Sequence, residues 1–288
     1  MSVSISIVTP SLNQAQYLET TIQSVLCRRP GEVEYVVVDG GSTDGSVDII
    51  RRYADELTWW VSEPDAGYAD AINKGFAHTS GEIMGWINSS DLYLPWTLSV
   101  VGEVFASFPS VDWITGAPCM AGSDGVLRAT GLTRVNRHDF LCGAHGIQQE
   151  STFWRRGLWE AAGGLDASMR YAADYELWTR FFAHAQLHSV DCALAAFRVH
   201  DVRLGEPAND AYGIEARRSR HKMMDGATAR DRRRARIVRW AHRAAGQLGG
   251  PILEVCPGCG WYRHPQIVYA FEAGTWKQHT RRRIGGLI

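Results

Sequence analysis

Acidic and basic residues nearly cancel in this 288-residue chain, leaving a formal net charge of −1. No global charge therefore draws it to nucleic acid. No apolar run approaches the ~20 residues that span a bilayer. Met1–Pro10 lacks the basic start and long apolar stretch of a signal peptide. A cytoplasmic protein is expected, at most peripheral on the inner face of the plasma membrane. Cysteine is sparse, six in all. Cys27, Cys119, Cys142 and Cys192 are scattered, as reduced thiols of a cytosolic protein would be. Only Cys256 and Cys259 form a pair, within CPGC. Zinc could join them to His264 and His279, but one C-x-x-C with those histidine spacings specifies no site by itself. The first strand is followed by neither G-x-G-x-x-G nor a glycine-rich, Arg- and Lys-bearing loop. The first absence argues against a dinucleotide-dependent oxidoreductase, the second against a nucleotidyltransferase. No internal repeat is visible.

What is present is a regular alternation of short β-branched runs and amphipathic segments. Strands are expected at Ser4–Val8, Glu34–Val38, Thr58–Val61, Ile83–Ile87 and Trp113–Thr115. Helices are expected between them at Tyr17–Leu26, Gly45–Tyr53, Tyr68–Ala77 and Pro95–Phe108. This order predicts an α/β fold, a mostly parallel sheet with helices on both faces and right-handed crossovers. Beyond Gly116 the pattern loosens, with helices near Arg156–Ala162 and Asp174–Ala183 and a strand at Ala193–Val199. From about Glu206 the chain reads as helical and basic, and the last forty residues form no clear unit.

Small polar and acidic residues gather where these strands end, and in open α/β sheets that is where ligands bind. The first strand runs into Thr9-Pro10-Ser11 and Asn13, a turn able to cradle a base or phosphate or simply to cap the next helix. The second ends at Asp39, before Gly40-Gly41-Ser42-Thr43-Asp44. Asp39 is not a helix cap and is free to accept from a base or ribose. The third leads to Asp65-Ala66-Gly67, then Asp70, Asn73 and Lys74, spaced to share one helix face. The fourth ends in Asn88-Ser89-Ser90-Asp91.

Four segments, SIVTPSLNQAQYL, VVVDGGSTDGS, EPDAGYADAINKG and GEIMGWINSSDLYLP, together resemble the family 2 glycosyltransferases of GT-A fold. QQESTFWRRGLWEAAGGLD, YAADYELWTRF and AAFRVH extend the resemblance to roughly residues 4–200. It implies an inverting enzyme that takes its sugar from a nucleotide-diphosphate donor, most readily a UDP-sugar. It passes that sugar to a hydroxyl of a glycan or lipid-linked acceptor, in the building of bacterial surface polysaccharide. The implied organisation is a GT-A, Rossmann-like catalytic domain over 1–205, with 1–115 holding the donor and 116–205 the acceptor. A basic helical extension follows over 206–288.

The resemblance also assigns roles. Thr9, Pro10, Asn13, Asp39, Asp65, Gly67, Asp70, Asn73, Lys74, Asn88, Ser89 and Ser90 are expected around the nucleotide-sugar. Asp91 and His200 are expected at a divalent cation, Mg²⁺ or Mn²⁺. The family's metal motif often reads Asp-Ser-Asp-Asp, whereas here it reads Asn-Ser-Ser-Asp. One carboxylate remains, and Lys74, Arg198 or His200 are candidates to share the charge of the leaving diphosphate. Asp174 matches the catalytic base, with Glu176 close enough to compete. Trp86, Trp154 and Trp178 are candidates for stacking on sugar, or are core. The basic tail around Arg230–Arg243 suits either a helix lying on anionic lipid or one packed on the catalytic domain. The thinned metal motif keeps open a second reading, a nucleotide-sugar-binding protein without transfer activity.

Overall fold

The computed structural model describes residues 3–27, 33–129, 131, 134–143, 146–199, 210–248, 252–253, 256 and 259–279. In chain order its elements are β1 (Ile5–Ser11), α1 (Ala15–Leu26), β2 (Val33–Asp39), α2 (Ser46–Arg52), β3 (Trp59–Ser62), α3 (Tyr68–Ala77) and β4 (Ile83–Trp86). Then follow β5 (Leu92–Tyr93), α4 (Thr97–Ser107), β6 (Trp113–Ala117), β7 (Cys119–Ala121), β8 (Leu127–Ala129) and α5 (Arg137–Cys142). Next come β9 (Thr152–Arg155), α6 (Arg156–Ala162), α7 (Ala173–His184), β10 (Leu187–Ala193) and β11 (Ala195–Arg198). The chain closes with α8 (Ala211–Asp225), α9 (Ala229–Ala245), β12 (Gln266–Ala270) and β13 (Thr275–His279).

A nine-stranded sheet in the order β13-β12-β10-β6-β9-β4-β1-β2-β3 forms the centre. β1 pairs in parallel with β2 and β4, β2 with β3, and β10 with β6 and β12. β9 runs antiparallel between β4 and β6, and β13 runs antiparallel to β12 at one edge. A smaller sheet, β5-β11-β7-β8, stands beside it.

Side-chain alternation along the strands creates the two layers. Ile7, Tyr35 and Val37 face α1, α2 and α4, where Leu18, Ile22, Ile50, Val101 and Phe105 complete one core. Val8, Val36 and Val38 face the other way, onto Ile72, Trp154, Leu158, Trp178 and Phe181 from α3, β9, α6 and α7. The helices fit this arrangement because Leu18, Ile22 and Val25 recur at helical spacing on α1, and Leu177, Trp178 and Phe181 on α7. Full burial of each such side chain contributes about 1.5–3 kcal/mol.

Several expectations shift. β1 runs on through Thr9-Pro10-Ser11, since Ser11 stays in register with Asp39. Trp86, Trp154 and Trp178 lie in the aromatic core, each with an exposure of 1% or less. Trp86 stacks on Trp178 at 5.9 Å and Trp154 meets both edge-on, so none is available to a sugar. The C-terminal extension contains α8 and α9, but its last part is also sheet. β12 pairs with β10 through Ser189–Gln266 and Val190–Ile267, and β13 folds back on β12. The boundary expected at 205/206 lies outside the described residues. No helix among the described residues is long and apolar enough to cross a membrane.

Candidate active site

Hydrogen bonds lock the turns after β1, β2 and β3 into one unit. The Asn13 N–H donates to Ser42 Oγ (2.7 Å), and Asn13 Oδ1 accepts from the Thr43 N–H (2.9 Å). Asn13 adopts a positive φ of 53° to do so. It does not cap α1, whose N-cap is Gln14. Asp44 serves both helices, accepting from the Ala15 N–H at the start of α1 and from the Ser46 N–H at the start of α2. Thr9 shares a buried hydrogen bond with the Tyr35 hydroxyl (3.0 Å). Pro10 is buried beside it in β1, and the neighbouring Ser11 Oγ is buried without a partner among the described residues.

Asp39 is wholly buried at the end of β2. Its Oδ2 accepts from the Gly41 and Ser42 amides and from Ser62 Oγ, and its Oδ1 from Ser42 Oγ. The carboxylate therefore shapes its own loop, and Oδ1 retains room for one more donor. The third turn closes over the second at Gly40. A Cβ there would stand 2.8 Å from Asp65 Oδ2, so any larger residue makes the Asp65 carboxylate shift. Asp65 Oδ1 holds the Gly67 N–H (2.9 Å), and Gly67 has a φ of 123° that side chains resist.

Along α3 the expected shared face divides into three separate engagements. Asp70 turns back to the Ala66 N–H (3.1 Å). Asn73 bridges to both backbone groups of Leu165, its Nδ2 donating to the carbonyl and its Oδ1 accepting from the amide, each at 2.9 Å. Lys74 pairs with Glu63 (2.7 Å). Asn73 is thus a structural tie between α3 and the chain after α6, and Lys74 is held by a surface carboxylate.

The turn after β4 forms the next wall. Thr21 Oγ1 from α1 donates to the carbonyls of Ser89 (3.0 Å) and Asp91 (2.8 Å), pinning it. Asp91 is 1% exposed. Its Oδ1 accepts the Arg198 N–H (3.0 Å) and its Oδ2 the Asn88 side-chain amide (3.2 Å). Burial pushes the Asp91 carboxyl up to about 6, against these hydrogen bonds and the Arg198 charge. The Arg198 Nε donates to the Ser90 carbonyl (2.8 Å), its guanidinium lies over the Tyr17 ring (5.0 Å), and its Nη2 is buried without a partner among the described residues. Glu150, in the 3₁₀ turn Gln149–Ser151, is 2% exposed and hydrogen-bonded by the Gln148 amide. Burial, then the Asp91 charge, drives its carboxyl well above the ordinary range. His200 lies outside the described residues.

Asp174 occupies the first turn of α7. Tyr212 of α8 donates to its Oδ2 (3.2 Å), whereas Oδ1 is buried with no partner among the described residues. Burial raises its carboxyl to about 6. Glu176 is bound through both oxygens by Arg180, with contacts of 2.9 and 3.1 Å from Nε, and so is not free to take a proton. Tyr68, at the start of α3, donates to the Tyr171 carbonyl (3.1 Å) and accepts the Ala173 N–H (2.8 Å), tying the start of α3 to the start of α7. The strand-end turns are thus joined by hydrogen bonds, and Tyr68 links the start of α3 to the segment that carries Asp174, a carboxylate with one oxygen unpartnered among the described residues. An oxygen left in that state can accept a proton.

Glu150, Tyr212 and Glu215 were not anticipated. Glu150 stands inside a motif already matched, where its burial was the missing information. Tyr212 and Glu215 lie in the extension and reach the site only through packing of α8 on α7. His264 is hydrogen-bonded to Asp139 at 2.7 Å, and no group of three potential metal ligands occurs among the described residues.

The model of the family described as Glycosyl transferase family 2 matches residues 6–114. An uncharacterized glycosyltransferase of Mycobacterium tuberculosis (strain CDC 1551) is 30% identical over 197 residues, covering 67% of this chain and 74% of the relative. A PGL/p-HBAD biosynthesis glycosyltransferase of Mycobacterium bovis (strain BCG) is 29% identical over 188 residues, covering 63% of this chain and 71% of the relative. Among solved structures, residues 1–349 of Staphylococcus aureus TarS in complex with UDP-GlcNAc align with a TM-score of 0.65 at 17% identity, covering 88% of this chain and 77% of that one. That likeness shows the GT-A fold. Against a longer TarS structure the chain spans about half, 47%.

Proposed function

We propose, from the premise that this chain belongs to glycosyltransferase family 2, that it transfers a sugar from a UDP-sugar to a hydroxyl of a cell-envelope glycan or glycolipid with inversion. The single observation that carries this reading is Asp174. It is a partly buried carboxylate with one oxygen unpartnered among the described residues, linked through Tyr68 to the helix that follows the Asp65–Gly67 turn. The TarS structure holding UDP-GlcNAc favours a uridine donor, and the mycobacterial PGL relative favours an envelope acceptor.

In this mechanism the loop amides and hydroxyls organised by Asp39 and Asn13 receive the nucleoside. The acceptor hydroxyl lies against Asp174 Oδ1, which takes its proton as the oxygen attacks C1 opposite the leaving diphosphate. Negative charge grows on the diphosphate and needs cations. Arg198 lies next to the Asn88–Asp91 turn with an Nη2 that has no partner among the described residues, which supports that role for it. The oxygen donors of that turn also suit Mg²⁺ or Mn²⁺, which accept one carboxylate and complete their shell with water and phosphate oxygens. Asp91, with His200 as the second expected ligand, would hold the ion, and its chemistry would be charge neutralisation on the diphosphate.

The exposed face of α9 supports contact with an anionic membrane surface. Trp240 is 71% exposed beside Ile237, Arg233, Arg236 and Arg239. Co-sedimentation with phosphatidylglycerol vesicles, but not phosphatidylcholine vesicles, is the expected result, and equal partitioning would refute it.

The reaction is tested by incubating the protein with UDP- and GDP-sugars and polyprenyl-linked or glycolipid acceptors, following nucleoside diphosphate release. Release from a UDP-sugar that depends on acceptor, with an inverted anomeric signal in the product, is expected. Tight donor binding with no release under any acceptor would instead establish the binding-only reading.

A further inference from the structure

The C-terminal extension reaches the base from an unexpected side. α8 carries Tyr212 and Glu215 three residues apart, and so on one helix face. Tyr212 donates to Asp174 Oδ2 at 3.2 Å. Glu215 accepts three backbone N–H groups in a row, from Arg170 (3.2 Å), Tyr171 (2.8 Å) and Ala172 (2.9 Å). These amides lead directly into α7, whose N-cap Ala172 has no side-chain cap of its own. One side chain of α8 therefore fixes the segment that carries the base, and the other fixes the carboxylate on it.

We infer that α8 is a working part of the acceptor side, with Tyr212 and Glu215 acting as positioning residues that aim Asp174 Oδ1 at the acceptor hydroxyl. This rests on the reading of Asp174 as the base. A carboxylate with one oxygen held by a hydroxyl presents the other in a fixed direction, and a hydrogen bond to the ionised form also keeps it ionised. The groups facing Asp174 are Tyr212 and Glu215 from α8, Tyr68 from α3, Tyr175 from α7 itself and Glu150 from the 3₁₀ turn. None is a cation, so the Tyr212 hydroxyl is the only side chain of these to stabilise the charged base.

The test is the pH dependence of turnover in Tyr212→Phe, read beside a direct titration of Asp174 by carbon NMR on ¹³C-aspartate-labelled protein, assigned with Asp174→Asn. Tyr212→Phe is expected to move the acid limb of kcat and the NMR midpoint together to higher pH, by about 0.5–1. Its kcat at neutral pH should fall about tenfold, a charged hydrogen bond's worth, with donor KM unchanged. Glu215→Gln, which leaves the tyrosine in place and removes a like charge facing Asp174, should lower kcat while any shift of the two midpoints is to lower pH. A Tyr212→Phe protein with normal melting and unmoved limb and midpoint overturns the inference. If instead Asp174→Asn keeps wild-type turnover, the reading of the base fails, while the NMR shift still reports whether Tyr212 holds it.

Discussion

Two aspartates at helix starts, the buried Asp139 on α5 and the half-buried Asp174 on α7, have opposite fates. Asp139 is saturated. It accepts from the Tyr262 hydroxyl (2.5 Å), His264 (2.7 Å), His242 (3.3 Å) and the Asn136 N–H (3.0 Å), the last completing a capping box. Burial alone would raise its carboxyl, but the bonds from His242, His264 and Tyr262 and the His264 charge hold it well below the usual range. Asp174 has one hydroxyl at 3.2 Å and an oxygen unpartnered among the described residues, and burial carries it up to about 6. The first joins α5, α9 and the residues before β12. The second keeps one oxygen without a partner among the described residues, as the proposed base requires. Saturation marks a carboxylate that builds structure, and incomplete coordination marks one kept for chemistry.

Breaking the open site should produce the larger effect. Asp174→Asn is expected to lower transfer by roughly 10²–10⁴-fold, the usual range for a general base. Donor affinity and melting temperature should stay near wild type. Turnover and calorimetric binding on the same preparation check this, and retained turnover would remove the base assignment.

Breaking the saturated site should do the reverse. Asp139→Asn should cost on the order of 2–3 kcal/mol of stability by leaving buried donors poorly matched, with turnover per folded molecule preserved. The pH dependence has a definite sign. The folded carboxyl of Asp139 is depressed, so its contribution is complete above the ordinary value of about 3.9 and lost as pH falls through the folded value. Asp174 has the opposite sign. Its raised folded value means that its ionisation opposes folding above about 4, and the penalty fades as pH falls. Denaturant midpoints between about pH 2 and 7 should therefore fall less steeply with acid in Asp139→Asn than in wild type.

A smaller change sharpens the contrast on the donor side. Gly40→Ala places a methyl 2.8 Å from Asp65 Oδ2. It should weaken nucleotide binding a few-fold, about 1 kcal/mol, while leaving the Asp174 titration unchanged. Unaltered affinity would show that the two turns do not act as one clamp.

Much of the first 115 residues was legible because it is built locally. Tyr68–Ala77 folds as the periodicity indicates, as does Arg156–Ala162 further on, and the second and fourth strands end at Asp39 and Trp86, each within a residue of expectation. β10 escaped because His188, Ser189 and Asp191 interrupt its apolar run, and β9 because Thr152–Arg155 continues directly into α6. β12 is stabilised by β10, far away in sequence. At the site the residue types were readable, but their partners were not. Asn73 was read as a ligand from its place on α3, and only the packing of Leu165 against it reveals a tie. Tyr212 offers no local signal at all, since its meaning depends on α8 meeting α7.

The most direct test of the central claim, a nucleotide-sugar site at these strand ends, is calorimetric titration of UDP and GDP into the wild-type protein with Mn²⁺ and again with EDTA. The account predicts saturable binding of UDP, strengthened by Mn²⁺ and weakened or abolished by Asp39→Ala. No heat with either nucleotide under either condition would contradict it.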